Sequence, residues 1–229
     1  MSSGPNLRLG SKFPNLSVKT TKGDFKVLEW KGSNWMLFFS HPADFTPVCT
    51  TEIGMLAKHH EEFAKRGVKL IGLSCDSVAD HEAWAKDIFA YTEKYSGCSL
   101  KELPFPLIGD EDRSVAIALG MIDANNQPNP GSLPLTCRAV FIVGPDDLIK
   151  LFIYYPASTG RNFDELIRVV DSLQLGQQKK VATPANWNKG QKVMVVASAT
   201  EEEAKKIDPN YEKVQVPSNK TYLRMAHCN

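Results

Sequence analysis

Trp35-Met-Leu-Phe-Phe-Ser-His-Pro-Ala-Asp-Phe-Thr-Pro-Val-Cys-Thr-Thr-Glu52 changes character twice along its length. Trp35–Phe39 is short, apolar and rich in aromatics, which favours a buried strand. Pro42 and Pro47 then interrupt any regular pairing. Thr46 is a good helix N-cap and Pro47 a favoured first helical residue, so a helix starts here. Beyond it Ile53, Leu56, Ala57, His60, Phe63 and Ala64 keep an i, i+3, i+4 rhythm, with Gly67 as the stop. This register places Cys49 at the third helical position, beside backbone N–H groups that lack intrahelical partners and at the positive end of the helix dipole.

The same alternation continues outward. Val68–Cys75, Arg138–Val143 and Leu148–Tyr155 read as further buried strands. Asp80 is a plausible cap for a helix containing Trp84 and Ile88. Ser114 opens another that runs through Leu119 to Gly120, and Asn162-Phe-Asp-Glu165 has capping-box spacing ahead of Leu166, Val169, Val170 and Leu173. Gly144-Pro-Asp-Asp147 is a turn, so Arg138–Tyr155 is expected to be a hairpin. The layout is α/β with a mixed central sheet. It is compatible with a thioredoxin-like core, although pattern alone does not choose that fold over other α/β folds. After Leu175 the texture becomes polar and loop-like, with Val193–Ala197 as one more short strand. The expected division is therefore residues 1–175 and a small C-terminal domain, 176–229.

Bulk properties exclude several classes. The 229 residues carry 27 basic and 26 acidic side chains, for a net charge of +1, so nothing suggests nucleic-acid binding or adsorption on anionic membranes. No apolar run is long enough to span a bilayer. Met1–Pro14 shows neither a signal-peptide apolar region nor an Arg-rich transit pattern, and a cytoplasmic location is expected. The five cysteines, Cys49, Cys75, Cys98, Cys137 and Cys228, are odd in number and show no C-x-x-C pair. That argues against a disulfide framework or a zinc site and for reduced thiols. His59, His60 and His81 make no recognisable metal set.

Cys49 then has two readings. It is a small buried residue at a helix start, or its thiolate is stabilised there and acts as a nucleophile. Pro42-x-x-x-Thr46-x-x-Cys49 resembles the active-site motif of peroxiredoxins. The longer stretch Phe39–Glu52 is similar to the one-cysteine peroxiredoxins, the peroxiredoxin six subfamily. Leu73-Ser-Cys-Asp-Ser77, Leu103-Pro-Phe-Pro106, Tyr155-Pro-Ala-Ser-Thr-Gly-Arg-Asn-Phe-Asp-Glu165 and Val181-Ala-Thr-Pro-Ala-Asn-Trp187 extend the resemblance from about residue 5 to about residue 225. It implies a thioredoxin-like fold and a thiol peroxidase. Cys49 would be the peroxidatic cysteine, oxidised to a sulfenic acid. Thr46 would bond the peroxide, Pro42 shield the site, and Arg138 hold thiolate and peroxide. His41 and Glu52 would be supporting groups or merely structural ones. The resemblance further implies hydrogen peroxide and organic hydroperoxides, lipid ones among them, as substrates. No metal or haem is implied. An external thiol, glutathione or a reductase protein such as thioredoxin, would restore Cys49. A homodimer is implied, its C-terminal domain reaching toward the partner's active site.

The other cysteines have lesser expectations. Cys75 ends a strand and should be packing. Cys98 lies in a polar loop. Cys137, beside Arg138, could carry thiolate character, and Cys228 sits on a loose tail. No resolving cysteine is recognisable. Some members of the subfamily have a phospholipase activity attributed to Gly-x-Ser-x-Gly with a His and an Asp. Here Gly32-Ser-Asn-Trp-Met36 puts Asn34 in the serine position, Met36 in the second glycine position and Leu28 in the histidine position; only Asp146 matches. A lipase is thereby disfavoured. A redox sensor or oxidation-triggered holdase, in which Cys49 signals without turning over, is the non-enzymatic rival.

Overall fold

A computed structural model describes residues 7–127 and 129–228, so the first six residues of the Met1–Pro14 stretch lie outside the described chain. The chain divides into two compact units, Met1–Phe163 and Asp164–Asn229.

The first unit opens with a small antiparallel pair, β1 (Ser17–Val18) and β2 (Phe25–Lys26), and the short helix α1 (Val27–Lys31). Then come β3 (Trp35–Ser40), α2 (Pro47–Lys58), α3 (His60–Lys65), β4 (Val68–Ser74), α4 (Val78–Ser96), β5 (Leu107–Gly109), α5 (Ser114–Ala118), β6 (Arg138–Val143) and β7 (Ile149–Tyr155). The five-stranded sheet has the order β5-β4-β3-β6-β7. β3 pairs parallel with β4 and antiparallel with β6, while β6 and β7 form the expected antiparallel hairpin. The sheet is mixed, with β3 at its centre. That explains why all six residues of β3 are buried: both faces of a central strand are covered. Met36 and Phe38 join Phe13, Ile71, Leu73 and Phe141 in the core on one face. Buried Ile53 and Leu56 of α2 and Trp84 and Ile88 of α4 supply further core, and α2 and α4 pack on each other.

Helix ends depart from the sequence reading in two places. Ser77, not Asp80, caps α4. The Ser77 side chain accepts from Asp80 N (3.1 Å) and the Asp80 carboxylate accepts from Ser77 N (3.2 Å), a reciprocal capping box in which Asp80 is the third helical residue. The helix after Cys49 also breaks at His59, separating α2 from α3, where His59 Nδ1 donates to Met55 O (2.8 Å).

One corner is pinned by a buried ammonium. Lys31, fully buried at the end of α1, donates to Gly32 O (2.9 Å), Asn34 O (3.1 Å) and Gly144 O (3.1 Å) and pairs with Asp147 (2.9 Å). It ties the entry to β3 to the β6–β7 turn.

In the second unit α6 (Phe163–Gln178) precedes β8 (Val181–Ala182), β9 (Val193–Val195), α7 (Glu201–Ile207), β10 (Glu212–Lys213) and β11 (Arg224–Ala226). Residue 176 lies in the last turn of α6, and the compact units divide at the start of that helix. The four strands form a sheet of order β10-β11-β9-β8 over a core of Val181, Trp187, Val193, Val195 and Ala204.

Candidate active site

Thr46 occupies the N-cap position in extended conformation and Pro47 begins α2, so Cys49 is its third residue. The Thr46 hydroxyl does not cap the helix. It donates to Ala43 O (2.8 Å), folding the Pro42–Thr46 loop on itself. The first-turn N–H groups are therefore not consumed by a side-chain cap, and they remain available to an anion. The Cys49 sulfur is fully buried, and Pro42 is buried beside His41.

Arg138 starts β6, the antiparallel neighbour of β3, and its side chain reaches back to the helix. Its Nη1 lies 3.3 Å from Cys49 Sγ and 2.7 Å from Glu52 Oε2. Its Nε and Nη2 both donate to Ala157 O, at 2.9 and 2.6 Å, which fixes the plane of the fork. Glu52 follows Cys49 by three residues, so both project from one face of α2. Its carboxylate also accepts from a second arginine. Arg161 donates to Glu52 from its backbone N (2.7 Å), Nε (2.9 Å) and Nη2 (2.7 Å), and its Nη1 donates to Ser40 O and Ala139 O at 3.0 Å each. Burial pushes the Glu52 carboxyl up, but the charge and hydrogen bonds of Arg161, with the charge of Arg138, outweigh it and hold the group below its ordinary range. Two guanidiniums against one carboxylate leave one positive charge uncompensated. Cys49 Sγ, 3.3 Å from Arg138 Nη1, is placed where a negative charge would balance it.

His41 sits at the end of β3, its backbone N–H bonded to Leu73 O and its carbonyl accepting from Thr136 Oγ1 (2.7 Å). Its Nε2 is 2.8 Å from Asp44 Oδ1, and the other oxygen of Asp44 is 2.6 Å from His81 Nδ1 on α4. All three side chains are buried.

Sequence reasoning brought Cys49, Thr46, Pro42, Arg138, His41 and Glu52 to one place, and the structure gathers all six in the first unit, around the α2 N-terminus. It missed Arg161 as a site residue, although that residue lies inside a quoted motif. It also missed the Asp44–His81 contact, which joins residues 37 positions apart and leaves no local pattern.

Of the remaining cysteines, Cys98 lies in a loop as expected, while Cys137 and Cys228 differ from expectation. Burial, joined by the charge of Asp123, pushes the Cys137 thiol up to about 11, so the expected thiolate character is absent there; the Arg138 fork points to Cys49 and Ala157 instead. Burial likewise raises Cys75 to about 11, though it is only half-buried. Cys228 is not loose: it packs against the core of the second unit. In the Gly32–Met36 stretch Ser33 is exposed, Asn34 Nδ2 donates to Lys31 O (3.1 Å), and Asp146 is paired with Lys150 (2.6 Å), so no serine–acid contact exists there.

A buried thiol in a first helical turn, held by an arginine from a neighbouring strand of a mixed sheet, is an arrangement suited to thiol-based redox chemistry. Comparison with known proteins agrees. Residues 9–152 match the AhpC/TSA family and residues 172–207 match the C-terminal domain of 1-Cys peroxiredoxin. Peroxiredoxin-6 of Gallus gallus is 53% identical over 96% of this chain and 97% of its own, and that of Homo sapiens 52% identical over 95% and 96%. A cysteine-to-serine variant of peroxiredoxin 6 from Arenicola marina superposes with a TM-score of 0.92 at 50% identity, over 98% of this chain and 99% of that one. A yeast mitochondrial 1-Cys peroxiredoxin gives 0.85 at 41%, over 96% and 99%. The chain thus belongs to the AhpC/TSA family, among its one-cysteine peroxiredoxins, and it is a thiol-dependent peroxidase.

Proposed function

We propose that Cys49 reduces hydrogen peroxide and organic hydroperoxides, lipid hydroperoxides included, as the peroxidatic residue of a cytosolic antioxidant enzyme. The observation that carries this is the single Arg138 Nη1 shared between Cys49 Sγ and Glu52. The thiolate attacks one peroxide oxygen, the O–O bond breaks, and the sulfur keeps that oxygen as a sulfenic acid. The leaving alkoxide or hydroxide gathers charge and takes up a proton. Donors fixed in advance bind this developing charge better than they bind neutral peroxide. Arg138 cannot lose its proton and offers a rigid fork, so it serves both thiolate and peroxide. Thr46 takes the peroxide through its hydroxyl, Pro42 shields the sulfur, Glu52 orients Arg138, and His41 supports the loop.

The sulfenic acid then condenses with an external thiol, releasing water and forming a mixed disulfide, and a second thiol restores Cys49. No prosthetic group is required by this chemistry. Glutathione is the favoured reductant, with thioredoxin as the other; the yeast structure concerns thiol resolution through glutathione and thioredoxin systems. A homodimer is favoured because β7 is an edge strand of its sheet and carries half-buried Leu151, Phe152 and Ile153 with exposed Tyr154. Residues 1–175 are the peroxidase domain, and residues 176–229 are associated with the dimer. Among the described residues no helix is long and apolar enough to cross a membrane.

The test is mass spectrometry of Cys49 after one equivalent of peroxide, followed by steady-state turnover with glutathione or thioredoxin. Addition of one oxygen at Cys49 and its reversal by the reductant are expected, and Cys49→Ser should remove turnover while leaving the fold intact. Turnover above a few per cent in that variant would overturn the assignment, and oxidation that stops at one equivalent with every reductant would favour a sensor.

A further inference from the structure

The loop between β3 and α2 is over-determined by a buried polar network that the peroxidase chemistry does not account for. Asp44 Oδ1 meets His41 Nε2 at 2.8 Å and Oδ2 meets His81 Nδ1 at 2.6 Å. His81 Nε2 lies 3.0 Å from Ile108 O, and Asp44 N donates to Asp76 Oδ2 (2.9 Å), which also accepts from Ser74 Oγ (2.6 Å). Immediately after Asp44 the chain takes φ 53° at Phe45, a left-handed conformation disfavoured for a bulky residue, and Phe45 is 56% exposed. Thr46 follows at the N-cap position of the helix that bears Cys49. A strained, exposed aromatic persists only where its surroundings fix the backbone.

We infer that Asp44 and His81 are positioning residues for peroxide reduction: their buried ion pair locks the Pro42–Thr46 loop over the Cys49 helix and sets the tautomer of His41. This rests on the peroxidatic reading of Cys49. The protonation states follow from the partners. A carbonyl oxygen only accepts, so His81 Nε2 carries a proton toward Ile108. An ionised carboxylate only accepts, so His81 Nδ1 carries one toward Asp44, and His81 is an imidazolium. His41 donates through Nε2 to the same carboxylate, while its Nδ1 is buried without a partner, which suits a neutral ring. The titration tendencies agree. Burial lowers His81, but the hydrogen bond and charge of Asp44, the Ile108 carbonyl and the charge of Asp76 raise it on balance. Burial dominates at His41 and lowers it, and the two histidines outweigh burial at Asp44 and lower that group. The titratable groups facing His81 from the packed elements are thus Asp44, His41 and Asp76; Lys22, Glu82, Lys101 and Glu102 line the shallow pocket on its other side.

His81 is raised above its unfolded value, so the lock is complete below the ordinary histidine range and is lost as pH rises through the folded value. Two measurements test this. Nitrogen-15 imidazole spectra of the wild-type protein at pH 7 should show His81 protonated on both nitrogens and His41 on Nε2 alone. Stopped-flow oxidation of Cys49 by hydrogen peroxide should be slowed roughly tenfold or more in His81→Gln and in Asp44→Asn. The alkaline fall of the wild-type rate should also disappear in His81→Gln, a change that loss of stability alone would not produce. A neutral His81 at pH 7, or a His81→Gln rate and pH profile matching wild type, would overturn the inference; if the variants do not fold, the nitrogen spectra decide. Turnover surviving in Cys49→Ser would bring down the underlying reading, whereas a wild-type-like His81→Gln brings down the lock alone.

Discussion

Glu52 is the residue through which structure and chemistry are joined. It accepts from Arg138 and Arg161 at once, buried with both. Its folded pKa is depressed, so its contribution to stability is present above the ordinary carboxylate range and is lost as pH falls through the folded value. Glu52→Gln would remove the carboxylate that two buried guanidiniums share, a change that costs about 3–5 kcal/mol when a buried pair is broken. Denaturant titration at neutral pH should show this loss, and the gap to wild type should narrow as the solution is acidified. A gap that stays constant with pH would mean that Glu52 is not the titrating group. This pairing was half visible in the sequence. The spacing Cys49-x-x-Glu52 puts both side chains on one helix face, and the family motif supplies Arg138. Arg161 gave no such signal, because its partnership with Glu52 spans 109 positions and arises only when the sheet and the segment after β7 come together.

At the scale of elements, α2 and α4 meet where Gly54 leaves room. A β-carbon at Gly54 would lie 2.4 Å from Thr92 Oγ1, and that hydroxyl is already held by Ile88 O at 2.7 Å. Gly54→Ala should therefore destabilise the first unit by roughly 1–3 kcal/mol through overpacking. Thr92→Ser in the same chain should not relieve it, since the clashing oxygen remains, whereas Thr92→Ala should restore part of the loss in thermal melts. Full stability in the single variant would show that the helices separate without cost. Strands β3, β4, β6 and β7 were legible because long apolar runs bounded by Gly, Pro and Asp leave little choice. The strands β8 to β11 were largely not. All four are two or three residues long, too short for any alternation, and they are fixed by pairing with one another. Helix α7 did carry a signal that the reading overlooked: Thr200 and Glu203 form a reciprocal capping box.

For the whole molecule, the exposed side of β7 is where assembly should act. Hydrophobic side chains on an edge strand invite pairing with another chain. Ile153→Lys should convert the proposed dimer to a monomer in sedimentation equilibrium, with the fold retained because Ile153 is only half-buried in the single chain. An unchanged mass would place the contact elsewhere. The α/β class and mixed sheet could be read from the alternation of strands and helices. The identity of the fold came from the motif around Cys49, since many α/β topologies share that alternation.

The buried corner at Lys31 turns into a clock. Its ammonium is 0% exposed and its donors are engaged by carbonyls and Asp147. An acylating reagent attacks only a free, uncharged amine, so Lys31 must leave its nest and shed a proton before it can react. Lys65, its side chain 65% exposed, must shed a proton too, but it is already open to solvent. In timed acylation read by peptide mass, Lys65 should saturate early, while Lys31 should follow the rate at which the corner between α1 and the β6–β7 turn comes apart. Equal rates at the two amines would reveal a corner that breathes freely, and a delay matched to global unfolding would mark Lys31 as among the last groups to meet solvent.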